Sequence, residues 1–260
     1  MLRSASIGDI NQIKKLIHSG SDINIIHSNG NTPLMVASSN DHADIVKLLV
    51  QAGAKLNLQN NKRETALIIA SNKNNKEIAE ILVNAGAKLN LQNRQGETAL
   101  MVASIMNNAD IVKILVQADS TKSTLDLANF YDETALIIAS NKGYKDIIEI
   151  LVKAGANIDL QTMHKETALL RASDGGHKKI VKILVKAGAD LNLQDHGGDT
   201  PLISASGDNH VDVVKILVNA GAKLDVKNGN GYTALISASS NNHIDVVKIL
   251  VQADSTGFTK

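Results

Sequence analysis

Thr32-Pro33-Leu34-Met35-Val36-Ala37-Ser38 decides how the chain is read, because it returns as Thr65-Ala66-Leu67-Ile68-Ile69-Ala70-Ser71. The same Thr, with Pro or Ala and then Leu behind it, recurs at Thr98, Thr134, Thr167, Thr200 and Thr233. The spacings are 33, 33, 36, 33, 33 and 33 residues. Five residues after each Thr stands an Ala, from Ala37 to Ala238, and then a Ser, from Ser38 to Ser239. Self-similarity at a fixed period of this length means one supersecondary unit copied along the chain.

The physics of one unit follows from its residues. Thr32 is a good helix N-cap, and Pro33 and Pro201 sit where a first-turn proline costs no hydrogen bond. Leu34, Val36 and Ala37 give a first helix a short apolar stripe, and Ala37 is small enough for another helix to come close. Ile45, Leu48 and Leu49 recur at spacings of three and four, one face of a second helix. Gly53 after Ala52 predicts its stop. Leu56, Asn57 and Leu58 then alternate before the polar turn residues Asn60 and Asn61. Each unit reads as helix, turn, helix and a projecting hairpin-like loop. Neither helix buries its apolar face alone, so the copies must stack into one core.

The period and the strings Asn31-Thr32-Pro33-Leu34 and Gly53-Ala54 resemble the ankyrin repeat, seven times over and along nearly the whole chain. The resemblance implies an all-α ankyrin-repeat solenoid of stacked helix-turn-helix units. The family's usual His after the Leu is missing, and Met35, Ile68, Met101, Ile137, Leu170, Ile203 and Ile236 stand there instead. Packing is expected to replace the hydrogen bonds of that His. The expected division is an N-terminal capping half-repeat at 1–29 and repeats at 30–62, 63–95, 96–131, 132–164, 165–197 and 198–230. A seventh repeat with a C-terminal tail takes 231–260.

The ends and one joint depart from the pattern. In the first unit Gln12 and Lys15 replace Ile or Leu, the polar substitution a terminal cap needs. The last unit keeps Val246, Val247, Ile249, Leu250 and Val251, and Phe258 in the tail is the one aromatic residue near enough in sequence to cover them. The third repeat has Asp119 for the stop glycine and three extra residues. Its string Val116-Gln117-Ala118-Asp119-Ser120-Thr121 returns as Val251-Gln252-Ala253-Asp254-Ser255-Thr256, which suggests duplication of a multi-repeat block.

Composition narrows the function. Forty-three per cent of residues are hydrophobic but only 2% aromatic, as suits many similar contacts among Leu, Ile, Val and Ala. A net charge of +1 gives no bulk reason to expect nucleic acid. With no cysteine there is no disulfide, thiolate metal site or cysteine nucleophile. No apolar run approaches the ~20 residues of a membrane helix, so membrane insertion is not expected. The start, Met1-Leu2-Arg3-Ser4, lacks the apolar segment of a signal peptide. An intracellular chain, cytoplasmic or nuclear, is expected, and a secreted effector fits the same composition.

Catalytic chemistry finds little support. His42, His177, His210 and His243 hold one place in their repeats, but units stacked at ~8–10 Å cannot bring them to one ion. No serine sits in a Gly-x-Ser-x-Gly string, and Gly175-Gly176 and Gly197-Gly198 read as turns rather than phosphate loops. No enzyme activity, metal or cofactor is expected.

Binding residues are easier to nominate. Glu64, Glu97, Glu133, Glu166 and Asp199 stand immediately before the Thr. The ankyrin resemblance implies that this position faces the concave, partner-binding side, which would favour a basic partner. A carboxylate there is also favoured by the helix dipole. Phe130 and Tyr131 occupy one loop tip, Met163 and His164 the next, and Ile105 and Met106 end a first helix. Clustered exposed apolar residues usually mark interaction sites; the other reading folds Phe130 and Tyr131 over the insertion. The partner-binding set is Ile105, Met106, Phe130, Tyr131, Met163, His164, Glu97, Glu133, Glu166 and Tyr232. The resemblance thus implies a non-catalytic protein-binding module or scaffold. The alternative is an ankyrin segment of a longer channel, enzyme or effector. End-to-end self-association through the last repeat is a further expectation.

Overall fold

The computed structural model describes residues 1–255, which form sixteen helices and no strand among the described residues. They fall into two compact units that divide between Phe130 and Tyr131. Phe258 lies outside the described residues.

Unit 1 holds four helix pairs. These are α1 (Leu2–Ile7) with α2 (Ile10–His18), α3 (Pro33–Ser39) with α4 (Ala43–Gln51), α5 (Ala66–Lys73) with α6 (Lys76–Asn84), and α7 (Ala99–Ile105) with α8 (Ala109–Ala118). Unit 2 holds α9 (Ala135–Lys142) with α10 (Lys145–Ala154), α11 (Ala168–Asp174) with α12 (Lys178–Lys186), α13 (Pro201–Gly207) with α14 (Val211–Asn219), and α15 (Ala234–Ser240) with α16 (Ile244–Ser255). Within each unit, first helices pack on first helices and second helices on second helices.

The repeated Thr caps every first helix from α3 to α15, its Oγ1 accepting the N–H three residues on at 3.1–3.3 Å. The glycine stop works through its backbone: Gly53 sits at φ 86°, and Ala54 N–H closes on Leu49 O at 2.9 Å. The alternating Leu56-Asn57-Leu58 is not extended; Leu56 and Asn57 lie in a turn. Asn57 Oδ1 there accepts Lys88 N–H of the next repeat at 2.9 Å, as Asn24 does for Lys55 and Asn192 for Lys223. A side-chain acceptor to the next repeat replaces the ladder a strand would have made.

Every second helix presents two stacking faces, and the end units tell them apart. Mid-stack, Ile45 and Val46 are both buried. In the first pair the equivalents are Gln12, exposed, and Ile13, buried. In the last pair they are Val246, buried, and Val247, half-buried. The Ile45 position therefore faces the preceding repeat and the Val46 position the following one. Fully burying such a side chain stabilises the stack by about 1.5–3 kcal/mol.

The lengthened joint is tied internally. α8 ends at Asp119, and Lys122 takes the left-handed conformation at φ 56° that glycine takes elsewhere. Asp119 Oδ2 accepts Thr124 N–H and Oγ1–H, both at 2.7 Å, while Oδ1 accepts Thr121 Oγ1–H at 2.9 Å. Burial pushes the Asp119 carboxyl up, but these hydrogen bonds outweigh it and hold the group below its ordinary value. A depressed carboxyl contributes stability that is full above its unfolded value of about pH 4 and is lost as pH falls through the lower folded value. Asp119→Asn should therefore speed hydrogen exchange of the Thr124 amide at neutral pH. The gap between wild type and variant should narrow below about pH 4. A constant gap down to the acid limit would mean the charge plays no part.

Candidate functional site

The loop tips ahead of each first helix are built by one short polar side chain. Asn60 Oδ1 accepts the N–H groups of Lys62 and Glu64, each at 2.9 Å. Asn93 does the same for Gln95 and Glu97, and Thr162 Oγ1 for His164 and Glu166 at 3.2 Å. Local side-chain bonding of this kind fixes a turn without a strand.

Neighbouring tips are stitched together. In unit 1, Asn61 N–H donates to Asn29 O at 3.1 Å, Arg94 to Lys62 O at 3.0 Å and Phe130 to Gln95 O at 3.2 Å. In unit 2, Met163 N–H donates to Tyr131 O at 3.1 Å and His196 to His164 O at 2.9 Å. A glutamine beneath the tips adds a second tie. Gln92 Nε2 donates to Gly96 O in its own loop at 2.6 Å and to Ala128 O in the next at 2.9 Å. Gln59, Gln161 and Gln194 repeat the arrangement. These glutamines escape a reading for apolar pattern, although Gln59 and Gln92, and again Gln161 and Gln194, stand 33 residues apart.

Part of the nominated set converges in unit 1. A groove of about 570 Å³ is lined by the apolar Ile68, Val102, Ile105 and Met106 and by the charged Glu64, Glu97, Lys62 and Arg94. Phe130 leans on the same loop: a Cβ added to Gly96 would lie 2.8 Å from Phe130 Cδ1. The residue nonetheless stays 64% exposed. It covers the Gly96 backbone with one edge and offers the rest to solvent.

In unit 2 the nominated residues are Tyr131, Met163, His164, Glu133, Glu166 and Tyr232. Tyr131 is 60% exposed, and Met163, His164 and Tyr232 are exposed. The imidazoles of His164 and His196 meet edge to face at 6.2 Å. Tyr232 takes the place before Thr233 that acids hold from Glu64 to Asp199, and its N–H donates to Asn228 Oδ1 at 2.9 Å.

The acidic ladder is half-buried, and Glu64, Glu97 and Glu166 are engaged within their own repeats. Glu64 accepts Asn60 Nδ2 at 3.0 Å and Glu97 accepts Asn93 Nδ2 at 2.8 Å. Glu166 accepts Thr162 Oγ1 at 3.2 Å and pairs with Arg171 at 2.7 Å. Asp199 accepts Asn228 Nδ2 at 2.8 Å, yet burial, helped by nearby Asp195, Asp174 and Asp208, holds its carboxyl above the ordinary value. These carboxylates brace the tips as well as favouring the helix N-termini.

The histidines are staples. His42 Nε2 lies 3.1 Å from Ser6 O, His177 Nε2 3.0 Å from Asn141 O, and His210 Nε2 2.7 Å from Asp174 O. Each reaches the end of the preceding first helix. Asn75 and Asn108 do the same from the same position, to Ser38 O and Ser71 O. Among the described residues no cluster of three or more His, Cys, Asp or Glu could hold a metal ion.

Comparison with known families decides what this architecture is. The sequence matches the family described as ankyrin repeats (3 copies) in five overlapping stretches, residues 1–93, 52–126, 85–162, 122–195 and 169–258. The chain belongs to the ankyrin-repeat family. Among solved structures, the ankyrin repeat domain of Bcl-3, described as a unique member of the IkappaB protein family, is similar at 29% identity and a TM-score of 0.77. That likeness covers 85% of this chain and 100% of the other. A search of the curated proteins returned no match. Ankyrin repeats are in general protein–protein interaction modules. The residues standing for the missing ankyrin histidine are buried from Met35 to Ile203, so packing does take its place there. No helix among the described residues is long and apolar enough to cross a membrane.

Proposed function

We propose that this ankyrin chain, a cap over 1–29 followed by seven repeats, is a non-catalytic module that holds a partner protein on its loop tips and first helices. The observation that carries the reading is the placement of its few large apolar side chains. Phe130 is held at a stitched loop tip with most of its surface in solvent, above the loop that borders the groove of Ile105 and Met106. Tyr131, Met163 and Tyr232 extend the exposed set through unit 2. Tips joined by main-chain and glutamine bonds are pre-organised, which lowers the ordering cost of binding. Phe130→Ala combined with Tyr131→Ala should cost about 2 kcal/mol or more of partner affinity by calorimetry, with helix content unchanged. Unaltered affinity for a partner recovered by pull-down would reject the site.

The proposed partner carries a basic surface facing Glu97, Glu133 and Glu166. Changing all three to Gln should slow association with that partner and flatten its salt dependence. Association rates of the wild type that ignore salt would leave the ladder its bracing role alone. The proposed setting is intracellular, where a chain without cysteine forgoes no disulfide. Self-association through the last repeat belongs to the same reading, on the exposure of Ile236 and Val251.

A further inference from the structure

The outer side of α12 carries a charge pattern that sets it apart from the other repeats. Lys178, Lys179, Lys182 and Lys186 are all exposed, and the helix holds no acid. Every other second helix from α4 to α16 has one in its first turn: Asp44, Glu77, Asp110, Asp146, Asp212 and Asp245. Lys179 occupies that place in α12. The exchange runs against two local forces. A cation in the first turn opposes the helix dipole, which favours an anion there. The acid also receives an ion pair from the helix before it, as Asp110 does from Lys76 at 3.6 Å and Asp212 from Lys178 at 3.0 Å. Lys145 is the corresponding lysine of α10. The next helix offers it Lys179 instead, and it pairs with Glu149 of its own helix at 2.8 Å. Departures from local stability of this kind concentrate at functional positions.

We propose that this strip docks an acidic segment of a partner protein, at a site separate from the loop tips. Lys179, Lys182 and Lys186 stand at spacings of three and four, so they form one row on the helix. The row rises about 10 Å at about 1.5 Å per residue. Ile180, Val181 and Leu184 are buried, which turns the row to solvent. Lys215 on α14 is level with Lys182, and Lys153 on α10 is level with Lys186; both are exposed. Among the described residues none of these five lysines has an ion pair. Carboxylates at alternate residues of an extended chain lie about 7 Å apart, a spacing that long lysine side chains reach from the row. The width of the strip selects against broader anions. Asp146 and Glu149 on α10 and Asp212 on α14 border it and are exposed. A lipid bilayer or a nucleic-acid duplex would lie over those carboxylates as well as over the lysines, whereas a single peptide chain lies between them. None of α10, α12 and α14 contains an aromatic side chain on which the bases of a single strand would stack.

Fluorescence anisotropy of the full chain with a labelled peptide of about eight residues, Glu and Ser alternating, tests the proposal. At low salt the anisotropy should rise and saturate, and the affinity should fall as salt is added. Lys179→Gln, Lys182→Gln and Lys186→Gln together should weaken binding about tenfold, with helix content unchanged by circular dichroism. Lys47→Gln, Lys113→Gln and Lys248→Gln together remove the same charge from exposed places on second helices that keep their first-turn acid. That variant should bind as the wild type does. Lys179→Asp separates docking from folding. It restores the first-turn acid and a partner for Lys145, so the denaturation midpoint should rise while peptide affinity falls. An equal loss in the Lys47, Lys113 and Lys248 variant overturns the proposal, because net charge alone would then explain the binding. Wild-type affinity in Lys179→Asp overturns it too, and so does tighter binding to phosphatidylserine vesicles or to a labelled DNA duplex than to the peptide at the same salt. The Phe130 and Tyr131 variant should bind the peptide unchanged, so this reading and that of the loop tips fail separately.

Discussion

Gly30→Ala is expected to destabilise unit 1 by about 2–4 kcal/mol, while Gly53→Ala costs about 1 kcal/mol. Both glycines sit in the left-handed region, at φ 84° and φ 86°. An L-residue pays a conformational cost of similar size at either site. They differ in what a Cβ would meet. At Gly53 nothing lies within 4 Å. At Gly30 the new atom would fall 2.5 Å from Asn61 N and 2.8 Å from Asn60 Cα. These are main-chain atoms of the next loop and cannot swing aside. Asn61 N–H is also the donor to Asn29 O, so relief of the clash breaks the tie between the first two tips. Denaturant unfolding of the two variants should rank them clearly. Equal losses would show that the loops yield more readily than their bonding implies.

The second large effect compares one residue type at one position in consecutive repeats. Ile203→Ala should cost about 2–4 kcal/mol, because it opens a cavity between stacked first helices. Ile236→Ala should cost well under about 1 kcal/mol in the monomer, since that side chain is half in water already. The sequence context is nearly the same, Pro-Leu-Ile-Ser-Ala against Ala-Leu-Ile-Ser-Ala. Intrinsic helix propensity therefore cancels and the difference reports stacking alone. Arrays of this kind unfold by repeat and interface contributions rather than as one block. Hydrogen exchange of α13 and α15 should accompany the melting curves. Similar losses at the two positions would refute the assignment of forward and backward faces.

The architecture was legible because it is written in residue types whose effect is local. Thr before Leu caps a helix wherever it stands, and a stop glycine adopts φ near 86° with no help from distant groups. Apolar spacing gave the second helices, and Gln12 and Lys15 marked the outward face of the first pair. Groups that act between repeats were harder to read. Gln92 looks like an ordinary polar loop residue, and only the placement of Gly96 O and Ala128 O shows what its amide does. Asp119 reads as a missing glycine until Thr121 and Thr124 are seen to fold back on it. The nominated binding residues follow the same division. Exposure of Phe130 and Tyr131 was foreseeable from two aromatics in a polar loop. Convergence of Glu97, Ile105 and Met106 on one groove needs the spatial relation of a loop to the end of a helix, which linear spacing does not contain.

The glutamine tie bears on how such a chain accepts changes in repeat order. Each Nε2 donates to a main-chain oxygen of the following repeat, and it does so whether that residue is Gln92, Ala128, Gln194 or Lys227. The acceptor is present in every amino acid, so the joint asks nothing of its neighbour's side chain. Asn57 and Asn192 follow the same rule in the opposite sense, accepting from the backbone N–H of Lys88 and Lys223. Recombination that sets any repeat behind one carrying Gln59, Gln92, Gln161 or Gln194 thus inherits a working joint at once. Selection is then left free to alter the tips.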